Sequence, residues 1–209
     1  PPDAWRVENC RLSTNPAGGA SATLLRPVPE DCDVSVDVVP LALDGAYFAG
    51  VSLHGVNFLV RNGGFWNPYN IEGVKNALGG FHKADIAPGA KYRFRIVCRR
   101  ADKALVFSWS VNGERIADFA EAGKIARGRF AFFANKMPAA YDNLSISALA
   151  AGDVPRNLLP NSSFEHTQDG YPLNWKLGDP SRTLASAETI DGFWRTWELD
   201  RAPGAARSG

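Results

Sequence analysis

The 209-residue sequence predicts an all-β protein, built as an antiparallel sandwich of two sheets. Three observations favour this fold: apolar and polar residues alternate in short runs, Gly, Pro and Asn-Gly signals separate those runs, and residues 5–149 show almost no helical period. Strands that alternate in this way have one buried face and one wet face. We therefore expect antiparallel sheets packed face to face, without crossover helices.

The clearest alternation runs through Cys32–Val38. Successive side chains of a strand point to opposite faces of the sheet, so one set should be buried and the other should meet solvent. The expected buried set is Val34, Val36 and Val38, and the expected solvent-facing set is Asp33, Ser35 and Asp37.

A hairpin is predicted around Asn112-Gly113. Both residue types tolerate positive φ, which a two-residue type I′ turn requires. The strand before the turn alternates and the strand after it is Glu114–Phe119. The apolar set of the first strand is Leu105, Phe107, Trp109 and Val111.

Five more strands are expected, and residues Glu121–Ala126 are predicted to be a short connector because they are bounded by glycine and too few for a stable helix. The five strands are Ala46–Gly55, Asn57–Asn62, Tyr92–Arg99, Arg129–Ala134 and Tyr141–Ser147.

The order of these features resembles the concanavalin A-like, laminin-G-like jelly roll over residues 3–149. The features are the opening Trp5-Arg6-Val7-Glu8-Asn9, a strand ending in Leu24-Leu25-Arg26, the alternating Val34–Val38 strand, the Asn112-Gly113-Glu114-Arg115 hairpin and the closing Tyr141-Asp142-Asn143-Leu144-Ser145-Ile146. The resemblance implies that residues 1–150 form one jelly-roll domain.

A second resemblance begins after a small-residue, Pro-punctuated linker at residues 151–156. Asn157-Leu158-Leu159-Pro160-Asn161-Ser162-Ser163-Phe164-Glu165, followed by Asp169-Gly170-Tyr171-Pro172-Leu173-Asn174-Trp175, resembles the first strand and turn of galactose-binding-like jelly rolls. Such modules occur as carbohydrate-binding modules beside polysaccharide-degrading enzymes. Residues 157–209 are fewer than a typical domain holds, so we expect an incomplete module, an additional partial β segment whose aromatic residues pack on the first domain or on a neighbouring chain.

Charge and hydropathy exclude several partners. The net charge is +1 and both signs are mixed along the chain, so no basic stripe is available to neutralise a phosphate backbone and nucleic acid is not an expected partner. No apolar run approaches the roughly 18 residues of a membrane span. The chain starts Pro1-Pro2-Asp3 with no charged-then-apolar leader, which is expected if a leader was removed or if the chain is part of a longer protein.

The three cysteines have no C-x-x-C spacing that would indicate a metal site. Cys98 alternates in register with Tyr92, Phe94 and Ile96, which predicts a small buried apolar residue. A disulfide between Cys10 and Cys32 is an open alternative if the first strands are neighbours.

The sequence contains no recognisable set of catalytic residues. Glycoside hydrolysis needs two carboxyl groups about 5–9.5 Å apart, and the E-x-D-x-x-E run of the laminarinase-type hydrolases that share this fold is absent. Asp31 and Asp33 come nearest, although a solvated turn explains them equally well. The three histidines, His54, His82 and His166, are scattered and no H-E-x-x-H occurs. We therefore expect no catalytic activity; a glycoside hydrolase or lyase with an unrecognised acid pair is the alternative.

Sugar binding has a stronger signal in the sequence. Carbohydrate sites use aromatic faces together with amides, acids and Arg, and residues 62–70, Asn-Gly-Gly-Phe-Trp-Asn-Pro-Tyr-Asn, are rich in these types. The glycines and Pro68 predict a loop. Its aromatic residues either face a ligand or plug one end of the sandwich. The candidate carbohydrate-binding residues are Trp66, Asn67 and Tyr69, with Arg61, Asn62 and His54 nearby if the two preceding strands pair.

Two acids are candidate ligands of a structural calcium ion, although no cofactor is required. The resemblance to galactose-binding-like modules implies Glu165, because those modules often use the acid of their F-E pair for calcium. Asp142 in Tyr-Asp-Asn either binds calcium or caps its turn.

The sequence as a whole predicts a non-catalytic carbohydrate-binding or accessory module of a larger secreted bacterial glycan-degrading protein. Its expected partners are a polysaccharide or other glycan and a catalytic domain of the same protein, and its expected location is secreted, periplasmic or on the cell surface. The alternative from another class is a structural or adhesive laminin-G-like interaction domain without a sugar site.

Overall fold

The computed structural model describes residues 4–70, 81–122 and 126–149, and three short strand segments at 167–168, 171–172 and 175–178. These residues form two seven-stranded sheets and a two-stranded ribbon, with antiparallel strand pairing throughout. The predicted all-β sandwich is confirmed. None of the described residues form a helix that is long and apolar enough to cross a membrane.

Sixteen strands make up these sheets. In chain order they are β1 (Trp5–Glu8), β2 (Arg11–Thr14), β3 (Gly19–Leu24), β4 (Cys32–Pro40), β5 (Phe48–Leu53), β6 (Val56–Arg61), β7 (Phe65–Asn70), β8 (His82–Lys83), β9 (Tyr92–Ala101), β10 (Ala104–Val111), β11 (Glu114–Glu121), β12 (Phe130–Asn135), β13 (Ala139–Ala148), β14 (Thr167–Gln168), β15 (Tyr171–Pro172) and β16 (Trp175–Gly178).

The two sheets draw their strands from distant parts of the chain. Sheet A has the order β1-β2-β13-β4-β9-β10-β11, and sheet B has the order β16-β3-β12-β5-β6-β7-β8. Strands β14 and β15 form the ribbon. The edge strands β11 and β8 therefore end the two sheets, and both matter for the candidate site.

The core lies between the sheets, as the alternation predicted. Val34, Val36 and Val38 of β4 are fully buried, and so are Leu105, Phe107 and Trp109 of β10. Sheet B contributes Phe58, whose ring meets that of Trp109 edge to face at 5.4 Å. Contacts between large rings of facing strands give a sandwich core most of its apolar burial.

The hairpin turn at Asn112-Gly113 forms as predicted, with φ of 51° and 84°. A second turn of this kind joins β5 to β6 at His54-Gly55, where φ is 52° and 87°. Positive φ at both central residues matches the twist of the flanking strands.

The five additional predicted strands all form, with ends shifted by a few residues. The prediction of a loop at residues 62–70 is wrong from Phe65 onward, because β7 starts there and pairs along its length with β6. Pro68 is tolerated there because β8 pairs only with Phe65 and Trp66, so no described strand pairs with β7 on that side at Pro68.

Asp37 was expected to face solvent and is instead buried, with 3% of its surface exposed. A bulge in β13 places Asn143 beside it, and Asn143 Nδ2 donates to Asp37 Oδ2 over 2.8 Å. Arg93 Nη1 donates to Asp37 Oδ1 over 3.1 Å, and Lys91 Nζ lies 3.3 Å from Oδ2. Burial opposes ionisation of this carboxyl, yet the hydrogen bonds from Asn143 and Arg93 outweigh it and lower its pKa.

The cysteines are all free, so the alternative of a Cys10–Cys32 disulfide is wrong. Cys10 is exposed in the turn between β1 and β2, whereas Cys32 lies inside the core and pairs with Ala148 at the far end of β13. Cys98 is buried directly opposite Cys32, as expected for a small apolar residue. Burial raises the pKa of the Cys32 thiol to about 12 and also raises the pKa of Cys98.

The C-terminal part of the chain contributes a strand to the sandwich. Strand β16 pairs with β3 in the register Trp175↔Leu24 to Gly178↔Ser21, and it becomes the edge of sheet B. The division into a domain of residues 1–150 and a module of residues 157–209 stays a prediction.

Candidate functional site

A cleft opens where β8, at the edge of sheet B, approaches the hairpin of β10 and β11 at the edge of sheet A. Its volume is about 600 Å³, within the range of small-ligand sites. The described residues that line it are Trp66, Phe81, His82, Lys83, Ala84, Asp85, Tyr92, Val111, Asn112, Glu114, Arg115 and Ile116.

Two aromatic rings form the floor of the cleft. Trp66 of β7 meets Tyr92 of β9 edge to face, with ring centroids 5.1 Å apart, and each residue is less than a tenth exposed. The hydroxyl of Tyr92 accepts a hydrogen bond from the backbone N–H of Ala87 over 2.7 Å. Packing and this hydrogen bond fix the rings, so the floor is preorganised.

Phe81 supplies an exposed ring at the same cleft, with 59% of its surface accessible. The ring of Phe65 packs edge to face against it at 6.1 Å, and the guanidinium of Arg61 lies 5.5 Å from its centroid. A large apolar ring held at a cleft is suited to stacking on the apolar face of a flat ligand.

Polar groups surround the aromatic floor. The carboxylates of Asp85 and Glu114 form no ion pair with any residue of the described chain, and both are exposed. Asn112 accepts a hydrogen bond from Arg93 N over 2.7 Å through its side-chain oxygen, which leaves its amide N–H groups as donors. Arg115 pairs with Asp118 and, with burial opposing, lowers the pKa of that carboxyl. The cleft thus offers acceptors and donors to a ligand rich in hydroxyl groups.

The structure distributes the six sequence-predicted residues over several places. Trp66 lies in the core, where its ring also meets those of Phe94 at 5.7 Å and Trp109 at 6.4 Å, so it contributes the cleft floor and not a free platform. Asn67 is fully buried, accepts a hydrogen bond from Arg61 Nη1 over 3.1 Å and donates to the carbonyl of Pro68.

Asn62 is exposed in the turn after β6. Tyr69 belongs to β7 and pairs with Asn57, but its side chain lies outside the described residues. Arg61 is half-buried beside the cleft, next to Phe81.

His54 was expected near this group and is not there. Strands β5 and β6 pair as anticipated, but the antiparallel register puts His54 in the turn before β6 and Arg61 at the far end of β6, roughly 17 Å of strand away. His54 is fully buried, and its Nδ1 accepts a hydrogen bond from Gly128 N over 2.8 Å. Burial lowers its pKa to about 4, so the ring is neutral near pH 7, and its hydrogen bond to Gly128 stabilises the turn.

The acids considered for catalysis have structural partners. Arg95 donates to Asp33 from both Nε and Nη2, over 3.1 and 2.7 Å to Oδ2, and Asp31 Oδ1 accepts from Arg100 N over 3.0 Å. These carboxylates hold neighbouring strands of sheet A together.

Of the two candidate calcium ligands, only Asp142 belongs to the described residues. Asp142 accepts from Asn143 N over 2.8 Å and from Arg11 Nε over 3.3 Å, contacts that are typical of a capping residue, and its alternative role as a calcium ligand stays a prediction. Glu165 lies outside the described residues. Within the described part of the chain, no three His, Cys, Asp or Glu residues are grouped to hold a metal ion.

Sequence reasoning did not single out Phe81, Asp85 and Glu114. A usable signal for Phe81 is its position directly after Gly79-Gly80, since a pair of glycines in the sequence predicts a turn next to this large ring. Asp85 and Glu114 have no such signal in the sequence, because the segments that carry them line one cleft only in the folded sandwich.

Comparison with known proteins defines the fold class. No protein-family model matches the sequence, and no curated protein matches it. Among solved structures, a sialidase aligns with 66% of this chain at 14% identity and a TM-score of 0.50, and the chain spans 15% of that sialidase. The exoplasmic/lumenal domain of VIP36, solved with Ca²⁺ and Man3GlcNAc, aligns over 75% of this chain and 90% of its own at 9% identity and a TM-score of 0.50.

A galectin of Caenorhabditis elegans, LEC-6, aligns over 59% of this chain and 89% of its own, with 15% identity and a TM-score of 0.41. At identities this low, structural likeness shows the fold alone. The sheets described above, together with the sialidase and VIP36 alignments, support the jelly-roll sandwich that the sequence predicted.

Proposed function

We propose that this chain is a non-catalytic carbohydrate-binding module that holds a glycan in the cleft beside β8. The observation that carries the proposal is the exposed ring of Phe81 at a cleft floored by Trp66 and Tyr92. The carboxylates of Asp85 and Glu114, which have no ion-pair partner among the described residues, line the same cleft. Aromatic rings stack on the apolar face of a pyranose, and carboxylates accept hydrogen bonds from its hydroxyl groups, so this combination of side chains suits a sugar ligand.

The likeness to solved structures supports the choice of ligand. VIP36 was solved with Man3GlcNAc bound, and the fold of this chain also aligns with part of a sialidase. Together with the galactose-binding-like motif at residues 157–175, this supports an accessory role in a larger secreted bacterial glycan-degrading protein, acting beside a catalytic domain. The proposed location is accordingly secreted, periplasmic or on the cell surface.

A structural calcium ion belongs to this proposal at Glu165. The VIP36 structure contains Ca²⁺, and Asp142 of this chain is already engaged by Arg11 and Asn143. If calcium is structural, EDTA should lower the melting temperature and added Ca²⁺ should restore it. Glu165→Gln should remove that response.

The proposal is tested by screening the purified chain on a glycan array and repeating the best ligands with Phe81→Ala. The variant should weaken binding by about 1–3 kcal/mol, as for an aromatic binding hot spot, with little change in melting temperature. Leu25→Ala is the matched control, because Leu25 is an exposed apolar residue with 45% of its surface accessible that does not line the cleft.

Two other results would redirect the assignment. An array without any bound glycan would contradict the proposal and favour the laminin-G-like adhesive domain. Steady release of reducing sugar that is abolished by Asp85→Asn or Glu114→Gln would instead favour a glycoside hydrolase.

A further inference from the structure

Three cations lie together at one end of sheet B, each over an aromatic ring. The guanidinium of Arg61 is 5.8 Å from the ring centroid of Phe48 and 5.5 Å from that of Phe81. The remaining pairs are Lys83 over Phe65 at 4.8 Å and Lys136 over Tyr47 at 5.0 Å. We call this set the aromatic-cation row.

The row is continuous across the sheet. Strand pairing places Phe48 opposite Arg61, Arg61 opposite Phe65, and Phe65 opposite Lys83, so these side chains follow one line from β5 to β8. Phe48 is also bridged to Lys136 at the end of β12. Phe81 and Lys83 line the cleft as well, so the row leads directly out of the proposed glycan site.

The charges of this row differ from several on sheet A in one respect. Several arginines of sheet A have a carboxylate partner, among them Arg93 with Asp37 and Arg95 with Asp33. No carboxylate of the described chain lies within ion-pair distance of Arg61, Lys83 or Lys136. The positive charge of the row is therefore not balanced by a carboxylate of the described chain.

An aromatic ring holds a cation without cancelling its charge, because the attraction comes from the quadrupole of the ring. Lys83 and Lys136 are exposed, and Tyr47 and Phe81 are 46% and 59% exposed. The hydrogen bond from Arg61 Nη1 to Asn67 fixes the guanidinium and leaves its other N–H groups as donors. The row thus combines available positive charge with accessible apolar rings.

We infer that the aromatic-cation row binds the acidic groups of an anionic polysaccharide, one that bears carboxylates or sulfates. The cations would meet the acidic groups, while Phe81 and Tyr47 would stack on the sugar rings. This inference rests on the proposed function: the cleft would bind the polysaccharide, and the row would bind the acidic groups of that same polysaccharide.

The first test compares each acidic polysaccharide with its own neutral form. Polygalacturonate, alginate, hyaluronan and heparin are titrated beside their carboxyl-reduced or desulfated counterparts at two salt concentrations. We expect at least one acidic polymer to bind about tenfold more tightly than its neutral form, with the difference shrinking as salt rises.

The second test removes two charges of the row in Lys83→Gln/Lys136→Gln. Glutamine keeps much of the aliphatic stem, so the acidic polymer should bind about three- to tenfold more weakly at low salt. Lys83 also lines the cleft, so the neutral form should lose some affinity, but less than the acidic polymer loses. The matched control is Arg6→Gln/Lys103→Gln, which removes the same charge from exposed positions on sheet A and its hairpin. The control should bind like the parent.

The outcomes separate this inference from the proposed function. Equal binding of acidic and neutral polymers, weakened by Phe81→Ala, would overturn the inference and leave the glycan-binding cleft in place. Failure of every polymer and every arrayed glycan to bind would overturn both. Acidic binding that the control lowers as much as the row variant would show a general charge effect and would also overturn the inference.

Discussion

Trp66 of sheet B and Trp109 of sheet A meet edge to face across the sandwich, with ring centroids 6.4 Å apart. Phe94 contacts both rings, at 5.7 and 5.3 Å. Trp66, which the sequence analysis named as a candidate carbohydrate-binding residue, therefore anchors strand β7 in the core. The same ring closes the floor of the cleft, so the stability of the core and the shape of the site depend on one side chain.

Trp66→Ala should destabilise the fold by about 3–5 kcal/mol, since it removes a large buried ring and leaves a cavity among Tyr92, Phe94 and Trp109. Denaturant unfolding followed by fluorescence measures the change. Phe81→Ala is the comparison and should cost little stability, because that ring is mostly exposed. A Trp66→Ala protein that keeps its stability but loses glycan binding would return Trp66 to the binding surface.

His54 makes stability depend on pH. Its pKa is about 4 in the folded protein against 6.5 for the unperturbed side chain, so between these values the unfolded chain binds more protons. Stability should therefore fall by about 2–4 kcal/mol as the pH drops from 7 towards 4. His54→Asn, which tolerates the φ of 52° at this turn, should flatten the slope in that window. An unchanged slope in the variant would assign the effect to other groups.

Asp37 makes stability depend on pH in a more acidic range than His54 does. Its folded pKa lies below the ordinary 3.8, so its contribution to stability is present above that pH and is lost as the pH falls further. Asp37→Asn should cost about 1–3 kcal/mol at pH 7 and show a shallower acid limb below pH 4. Urea unfolding at a series of pH values checks both. If the variant matched the parent at pH 7, the contacts with Arg93 and Asn143 would contribute nothing net.

The cysteines should differ sharply in reactivity. A thiol reagent such as Ellman's reagent should modify Cys10 rapidly in the native protein and reach Cys32 and Cys98 only after unfolding, because these two are buried and their pKa values are raised. Cys10→Ser should abolish the fast phase. Fast labelling that survives this substitution would mean that the Cys32 end of the sandwich opens readily.

Removal of residues 157–209 should lower stability or solubility, because β3 would lose its partner β16 and expose an unpaired strand edge. The melting temperature and light scattering of the shortened chain measure both effects. A truncation after Gly178 is the control, since it keeps β16. Rapid proteolytic trimming to about residue 155 that leaves a fully stable remainder would show that the pairing is dispensable.

The sequence by itself determined the class of fold and much of the core. Alternation in Cys32–Val38 and Leu105–Val111 predicts which side chains are buried, because the two-residue period of a strand assigns each residue to a face. The turn at Asn112-Gly113 follows from the φ values those residues accept. These are local properties that neighbouring residues in the chain decide.

Only the tertiary structure decided the site, because it depends on which strands become neighbours. Phe81 and Glu114 are far apart in sequence and line one cleft only because β8 and β11 end their sheets on the same side. Residues 65–70 form a strand despite Pro68 because β8 is too short to pair there. Asp37 is buried because a bulge in β13 brings Asn143 beside it. Contacts of this kind are set by register and packing between distant segments, which a pattern along one strand does not contain.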